Sequence, residues 1–265
     1  MASTVSVQTI LKRLTKGDAE PVLVADFQAW TTAPRLSRLL SRRADGHPVS
    51  QIDPIGVLSG DRPYLPLPEL AELCAEEFLA ADPAGGRVFI VGHCSASALS
   101  LHIAELLGDS HDVTTILVGP VWADLAHVRR RFAETLTNLG AAVRPCPDLD
   151  GDPVAAVARM EHVLKAEVDA LAASRGLDSA ADAFSELVGW YRGWLAFLLA
   201  CHNDPRKTWD TARTTVVALA APATQVTIPG LSVGAYRLEE VPALAQDEPI
   251  TPELAEAVLA YVARR

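Results

Sequence analysis

The residues best placed to do chemistry lie in Gly92-His93-Cys94-Ser95-Ala96. They follow the apolar run Val88-Phe89-Ile90-Val91 and precede a stretch in which Leu99, Ile103, Leu106 and Leu107 recur at helical spacing. A strand that turns abruptly into a helix holds its central residue in a strained conformation, and only small neighbours leave room for it. Gly92 and Ala96 stand at those neighbouring positions. A nucleophile at the tip faces the unpaired N–H groups and positive potential of a helix N-terminus. For a thiol this favours the thiolate, and for an attacked carbonyl it steadies the oxyanion. The backbone N–H of Ser95 is the expected first oxyanion donor. The loop after the first strand, at Phe27 and Gln28, is the expected source of the second. The competing reading of Cys94 is a small buried residue in a tight turn.

The elements that would hold this turn alternate. Residues 1–20 are polar and helix-compatible, an arm or a first helix. PVLVADF (21–27) reads as a buried strand, and 29–46 as a helix with Leu36, Leu39 and Leu40 on one face. VSQIDPIG (49–56) reads as a strand ending in a Pro/Gly loop. Residues 67–82 read as an amphipathic helix with Leu70, Leu73, Cys74 and Phe78 aligned. RVFIVGH (87–93) is the clearest strand, 94–109 the helix it feeds, and VTTILVGP (113–120) the next strand. Strand–helix alternation of this kind implies parallel strands with right-handed crossovers and helices on both faces.

Alternation then stops. Residues 121–212 read as consecutive helices near 122–139, 153–174 and 182–202. The last is apolar almost all round, with Trp190, Trp194 and Phe197 at helical spacing, so it is either fully buried or faces an apolar cavity. Core packing and substrate contact are both open for those three aromatics. Strands resume at 214–223 and 232–242. A closing helix runs from Thr251 to Arg265, with a capping Thr, a first-turn Pro and Glu, and terminal Arg residues. A helical block set into a parallel sheet after the strand that follows the turn has the position of a lid.

The segment VFIVGHCSASALSLHIAELL resembles the nucleophile elbow of the thioesterases of nonribosomal peptide and polyketide assembly lines. Helix 67–82 and the terminal ELAEAVLAYV fit the same pattern. The resemblance implies an α/β-hydrolase fold over residues 1–265, with a helical lid at about 121–212. It also implies an acyl-handling activity on pantetheine thioesters and an acyl or peptidyl carrier protein as partner. Serine is the usual nucleophile of that family, and cysteine occurs in members that shuttle aminoacyl groups between carriers. The family orders its catalytic groups as nucleophile, acid, histidine. Here the stretch 241–248 contains no histidine, and none follows His202. Gly119-Pro120 and Ala221-Pro222 offer no carboxylate after the two strands that could carry the acid, although Asp124 lies close behind the first. His202 at the end of the aromatic helix is the first candidate for a substitute base, then His162 and His127. Each could equally be an ordinary surface or helix-end histidine. The side chain of His93 should point away from the thiol, and His102 should be packed or solvated.

Three readings follow. Cys94 acts without the standard base and passes acyl groups on rather than hydrolysing them. A lid histidine substitutes. Or the chain binds without turnover. Net charge of −10 argues against nucleic acid and anionic membrane as partners. Arg129-Arg130-Arg131 reads as a solvated face, or as a contact for a phosphate-bearing partner. The four cysteines show no zinc-ligand spacing. No apolar run reaches the roughly 20 residues of a membrane span. No phosphate loop, dinucleotide fingerprint or calcium loop is present, so no cofactor or metal is expected. A cytoplasmic chain with reduced thiols is the expectation.

Overall fold

The computed structural model describes residues 9–27, 34–60, 62–83, 85–176, 181–206, 208–244 and 250–263. Its frame is a seven-stranded sheet ordered β1-β3-β2-β4-β5-β6-β7. The strands are β1 (Leu11–Arg13), β2 (Val22–Ala25), β3 (Val49–Ile52), β4 (Arg87–His93), β5 (Asp112–Val118), β6 (Thr214–Ala220) and β7 (Arg237–Glu240). All neighbours run parallel except β1, which pairs antiparallel with β3.

The helices are α1 (Leu36–Ser41), α2 (Pro54–Ser59), α3 (Leu67–Ala81), α4 (Ser97–Leu107), α5 (Leu125–Asn138), α6 (Pro153–Arg175), α7 (Ala181–His202) and α8 (Pro252–Ala263). They cover both faces of the sheet. Val22, Val24, Phe89, Val91, Ile116 and Val118 pack with α1 and α8. Leu23, Ala25, Val88 and Ile90 face the other way, onto α3, α4 and α7. The central strands are buried on both sides, which is why they read as unbroken apolar runs.

Several expectations need correction. The N-terminal segment, expected as an arm or helix, contributes β1, an edge strand only three residues long. Leu11-Lys12-Arg13 carries no alternation that local sequence could expose. It is a strand because β3 offers an edge to pair with. The loop expected after β3 is instead the short helix α2, with Asp53 accepting from Ile55 N at 3.2 Å and Pro54 at its first position. The strand expected over 232–242 narrows to 237–240, its first half being turns. The helix expected over 29–46 is described over Leu36–Ser41, part of the remainder lying outside the described residues.

Three helices do intervene between β5 and β6. Asp124 caps α5 through His127 N at 2.6 Å, and Asp152 caps α6 through Val154 N and Ala155 N, both at 3.2 Å. Helix α7 crosses α2 closely. A Cβ on Gly193 would lie 3.0 Å from Ile55 O, so glycine allows the approach. Beside it, Arg192 binds the carbonyls that end α2, with Nη2 3.3 Å from Leu58 O and 2.8 Å from Gly60 O, while Nη1 meets Glu161 on α6 at 3.0 Å. A guanidinium matched to otherwise unsatisfied helix-end carbonyls fastens α6 and α7 to the sheet domain. Arg192→Ala should cost roughly 2–3 kcal/mol, read as a lowered urea midpoint.

Candidate functional site

The turn at Cys94 has the expected form. Strand β4 ends at His93, a single 3-10 turn spans Cys94–Ala96, and α4 begins at Ser97. Cys94 lies at φ +55°, in the left-handed region that side chains other than glycine rarely occupy. Three contacts over-determine it through its carbonyl, which accepts from Ser97 N, from Ser97 Oγ at 2.8 Å, and from Val121 N at 3.3 Å in the loop after β5. Such strain costs on the order of 1–3 kcal/mol and persists only where surroundings enforce it.

The surroundings are small residues. A Cβ on Gly92 would sit 2.4 Å from Ser100 Oγ, 2.8 Å from Ser100 Cβ and 3.3 Å from Ser97 Cα. Ser97 and Ser100 are fully buried, and Ser100 Oγ donates to Ala96 O at 3.0 Å. These short side chains let α4 descend onto β4. The thiol itself is partly exposed, with Ser95 Oγ 3.9 Å from Sγ. Ser95 N–H belongs to the first turn of the helix, where amides lack intrahelical acceptors.

Strand register brings Phe27 to this end of the sheet. Ala25 pairs with Gly92, the last β2–β4 pair, and Phe27 follows two residues later. Its ring packs edge-on against Phe197 (centroids 4.4 Å apart) and Trp194 (6.4 Å), which stack on each other at 6.2 Å and 22°. Gln28 lies outside the described residues. Trp190 parts from this group. It is half-buried and meets Tyr191 edge-on at 5.4 Å.

Along α7 the stripe continues from Trp194 and Phe197 to Cys201, whose thiol donates to Ser95 O at 3.6 Å. Burial, reinforced by Asp204, pushes the Cys201 thiol well above its ordinary range, so it stays protonated. His202, one residue on, is exposed at the end of α7. His162 is exposed on α6. His127 is buried under Arg130, whose Nη2 lies 2.9 Å from Nδ1, and burial with the Arg131 and Arg130 charges lowers its pKa. Asp124 serves as a helix cap. Arg129 and Arg130 are exposed. Residues 245–249, within the stretch where the histidine of the resembled family would stand, are outside the described residues.

Neither Asp26 nor His102 is among the residues expected at the site. Asp26, fully buried at the end of β2, accepts from Ser37 N at 2.6 Å and Gln51 Nε2 at 3.1 Å. Burial raises its pKa, opposed by those bonds and by Arg35. It joins the chain just before the segment 28–33 to the chain just after it. His102 on α4 is packed rather than solvated, bonded through Nε2 to Asp204 at 2.9 Å and edge-on to Trp209 at 4.8 Å. A carboxylate closing the apolar run Val22–Ala25 was a visible signal for Asp26. Nothing local pairs His102 with a residue 102 positions away.

No family model matches the chain, and no curated protein matches it. Solved structures do. Over 97% of its length the chain superposes on the holo form of a four-domain nonribosomal peptide synthetase bound to AMP and glycine, with TM-score 0.62 and 14% identity. It spans only 20% of that synthetase chain. It covers 98% of the Vlm2 thioesterase domain, which carries genetically encoded 2,3-diaminopropionic acid and a bound dodecadepsipeptide (97% of this chain, TM-score 0.56, 17% identity). It covers 98% of a protein described as an alpha/beta hydrolase family member from Desulfitobacterium hafniense (96% of this chain, TM-score 0.54, 15% identity). At these identities the likeness is one of fold. The chain has the α/β-hydrolase fold, with Cys94 at the elbow.

Two outcomes test this geometry. Gly92→Ala should force α4 off β4 and lower stability by roughly 1–3 kcal/mol in chemical denaturation. Burial pushes His93 down to about 4 from an ordinary 6.5. Its alternation with Phe89 and Val91 sets it on the α1/α8 side of the sheet. Because the folded-state value is the lower one, the unfolded chain binds the proton first. The stability tied to neutral His93 is intact above about 6.5 and lost as pH falls towards about 4. His93→Gln should flatten that decline, and the difference in denaturation midpoint between the two chains over this interval measures it.

Proposed function

We propose that this chain is a thioesterase-like acyl-handling protein of natural-product biosynthesis, with Cys94 as acyl acceptor and transfer favoured over hydrolysis. The donor is a pantetheine thioester, presented by an acyl or peptidyl carrier protein. The observation that carries the reading is Cys94 at φ +55°, a partly exposed thiol at the start of a helix, in the conformation used to present a nucleophile. The fold shared with a thioesterase domain that holds a dodecadepsipeptide supports it.

The step balances without a cofactor. The Cys94 sulfur attacks the thioester carbonyl and a new C–S bond forms. The oxyanion is received by Ser95 N–H, with the Phe27–Gln28 segment as second donor. Collapse expels the pantetheine sulfur, which takes up the proton that Cys94 gave away. One thioester replaces another, so the exchange is nearly isoenergetic. Hydrolysis of the acyl-enzyme needs a base to deprotonate water. His102 and His127 are engaged elsewhere, and His162 and His202 are exposed, one on α6 and the other at the end of α7. A thiol or amine acceptor that brings its own nucleophile is therefore the better second substrate. The helices α5–α7 act as the lid, and Trp194 and Phe197 with Phe27 form the apolar wall the acyl chain meets.

A second reading, binding without turnover, is favoured by the engagement of Asp124 as a helix cap. One measurement separates the two. Incubated with acyl-pantetheine thioesters, the protein should gain one acyl mass, mapped to Cys94 and lost in Cys94→Ala. Absence of the adduct, with pathway output unchanged by Cys94→Ala, would establish binding alone.

A further inference from the structure

We infer that Arg129 and Arg130 on α5 form a binding site for a phosphate ester, and that the phosphate they take is the one joining the pantetheine arm of the acyl donor to its carrier protein. The inference rests on the acyl-acceptor reading of Cys94 and adds to it how the donor is held.

Three consecutive arginines concentrate positive charge at one place in a chain whose net charge is −10. The fold leaves that charge only partly answered. Arg131 takes Glu134, Nη1 to Oε2 at 2.6 Å, and Arg130 Nε stays 3.9 Å from the same carboxylate. Arg129 is exposed and makes no ion pair among the described residues. Its charge acts on the half-buried Cys146 thiol, opposing the burial that lifts that group to about 11.

His127 reveals the excess. Its buried ring has Arg130 Nη2 2.9 Å from Nδ1 and Arg131 Nε 3.4 Å from Nε2. A neutral imidazole accepts at one nitrogen and donates at the other, and a guanidinium only donates. One of the two arginines therefore faces an N–H with its own N–H. The one free to turn away is Arg130, whose side chain is 58% exposed. A phosphate supplies what the cluster lacks, negative charge and several acceptor oxygens that a guanidinium meets in a fork.

The position suits the arm. Strand β5 ends at Val118, paired with His93, and the chain beyond it brings Val121 N to the Cys94 carbonyl at 3.3 Å before α5 begins at Leu125. Four residues of chain and four of helix keep the Arg129 backbone within about 20 Å of that contact. From sulfur to phosphorus the pantetheine arm has the length of about four extended residues, roughly 15 Å. The arm and an arginine side chain together cover the span. Val128 and Phe132, both fully buried, fix the inner face of α5, so Arg129 and Arg130 remain at the surface, where the phosphate of a carrier-borne arm is also held. In a molecule acidic as a whole, this patch is what draws an anionic donor in.

The test uses intact mass and the full chain, with one acyl group on three donors: pantetheine, 4′-phosphopantetheine and a carrier protein. Rates of adduct formation on Cys94 are compared at donor concentrations below saturation. Acyl-phosphopantetheine should react about tenfold faster than acyl-pantetheine at low ionic strength, with the ratio falling as salt rises. Arg129→Gln/Arg130→Gln should bring the ratio close to one, and Arg237→Gln, which removes an exposed charge at the sheet edge, should leave it as it is. Equal rates for the two small donors would overturn the inference. If the double variant then slowed only the carrier-borne donor, the arginines would be assigned to the carrier's protein surface instead. A preference that survives the double variant, or one lost equally in Arg237→Gln, would also overturn it. An adduct without phosphate preference sinks this inference alone. No adduct from any donor sinks the reading of Cys94 as well.

Discussion

Helix α4 lies so low on β4 that a methyl group at position 92 would come within 2.4 Å of the Ser100 hydroxyl oxygen. That approach is the constraint on which the site depends. It leaves the backbone no gradual path from strand to helix, so the turn passes through a left-handed residue, and that residue is Cys94. The run Ser95-Ala96-Ser97 supplies bulk small enough to fit, and the hydroxyls of Ser97 and Ser100 donate to the carbonyls of Cys94 and Ala96 inside the turn. Backbone strain at one position is thereby held by packing spread over a whole helix.

Helix α7 answers this from above. Its elbow-facing stripe presents Trp194, Phe197 and Cys201, and the chain beyond its end sends Asp204 to His102 and Arg206 to Glu105, both on α4. Arg192 fastens the same helix to the end of α2. Helix α7 is thus joined to α4, the helix that follows Cys94, at one end and to the end of α2 near its middle. Displacement of α7 would disturb the Ser95 carbonyl contact and the aromatic wall together.

Most of the parallel frame was legible in the chain. Strands β2, β4, β5 and β6 are short apolar runs bounded by Gly, Pro or charge, and helices α3 to α8 carry periodicity or caps. The three-residue edge strand β1 and the helix α2 were not, because pairing with β3 makes the one and contact with α7 supports the other. The tip of the site was legible too. Gly92, Cys94 and Ala96 announce the turn because steric demands of a tight turn act over neighbouring residues. The grouping of Phe27 with Trp194 and Phe197, and the parting of Trp190 towards Tyr191, were not. Equal helical spacing cannot distinguish residues that share a face when the neighbour across that face changes along its length.

The sequence by itself determined the turn, the nucleophile candidate, the alternation that makes the sheet parallel, and the absence of a histidine after His202. These are local or compositional properties, set by sterics and periodicity within a few residues. Only the tertiary structure decided that Asp26 closes on Ser37, that His102 meets Asp204, and that Cys201 rather than His202 touches the elbow. Each depends on how separate elements approach in space. A buried polar group takes whichever partner that approach supplies, and the distance along the chain has no part in the choice.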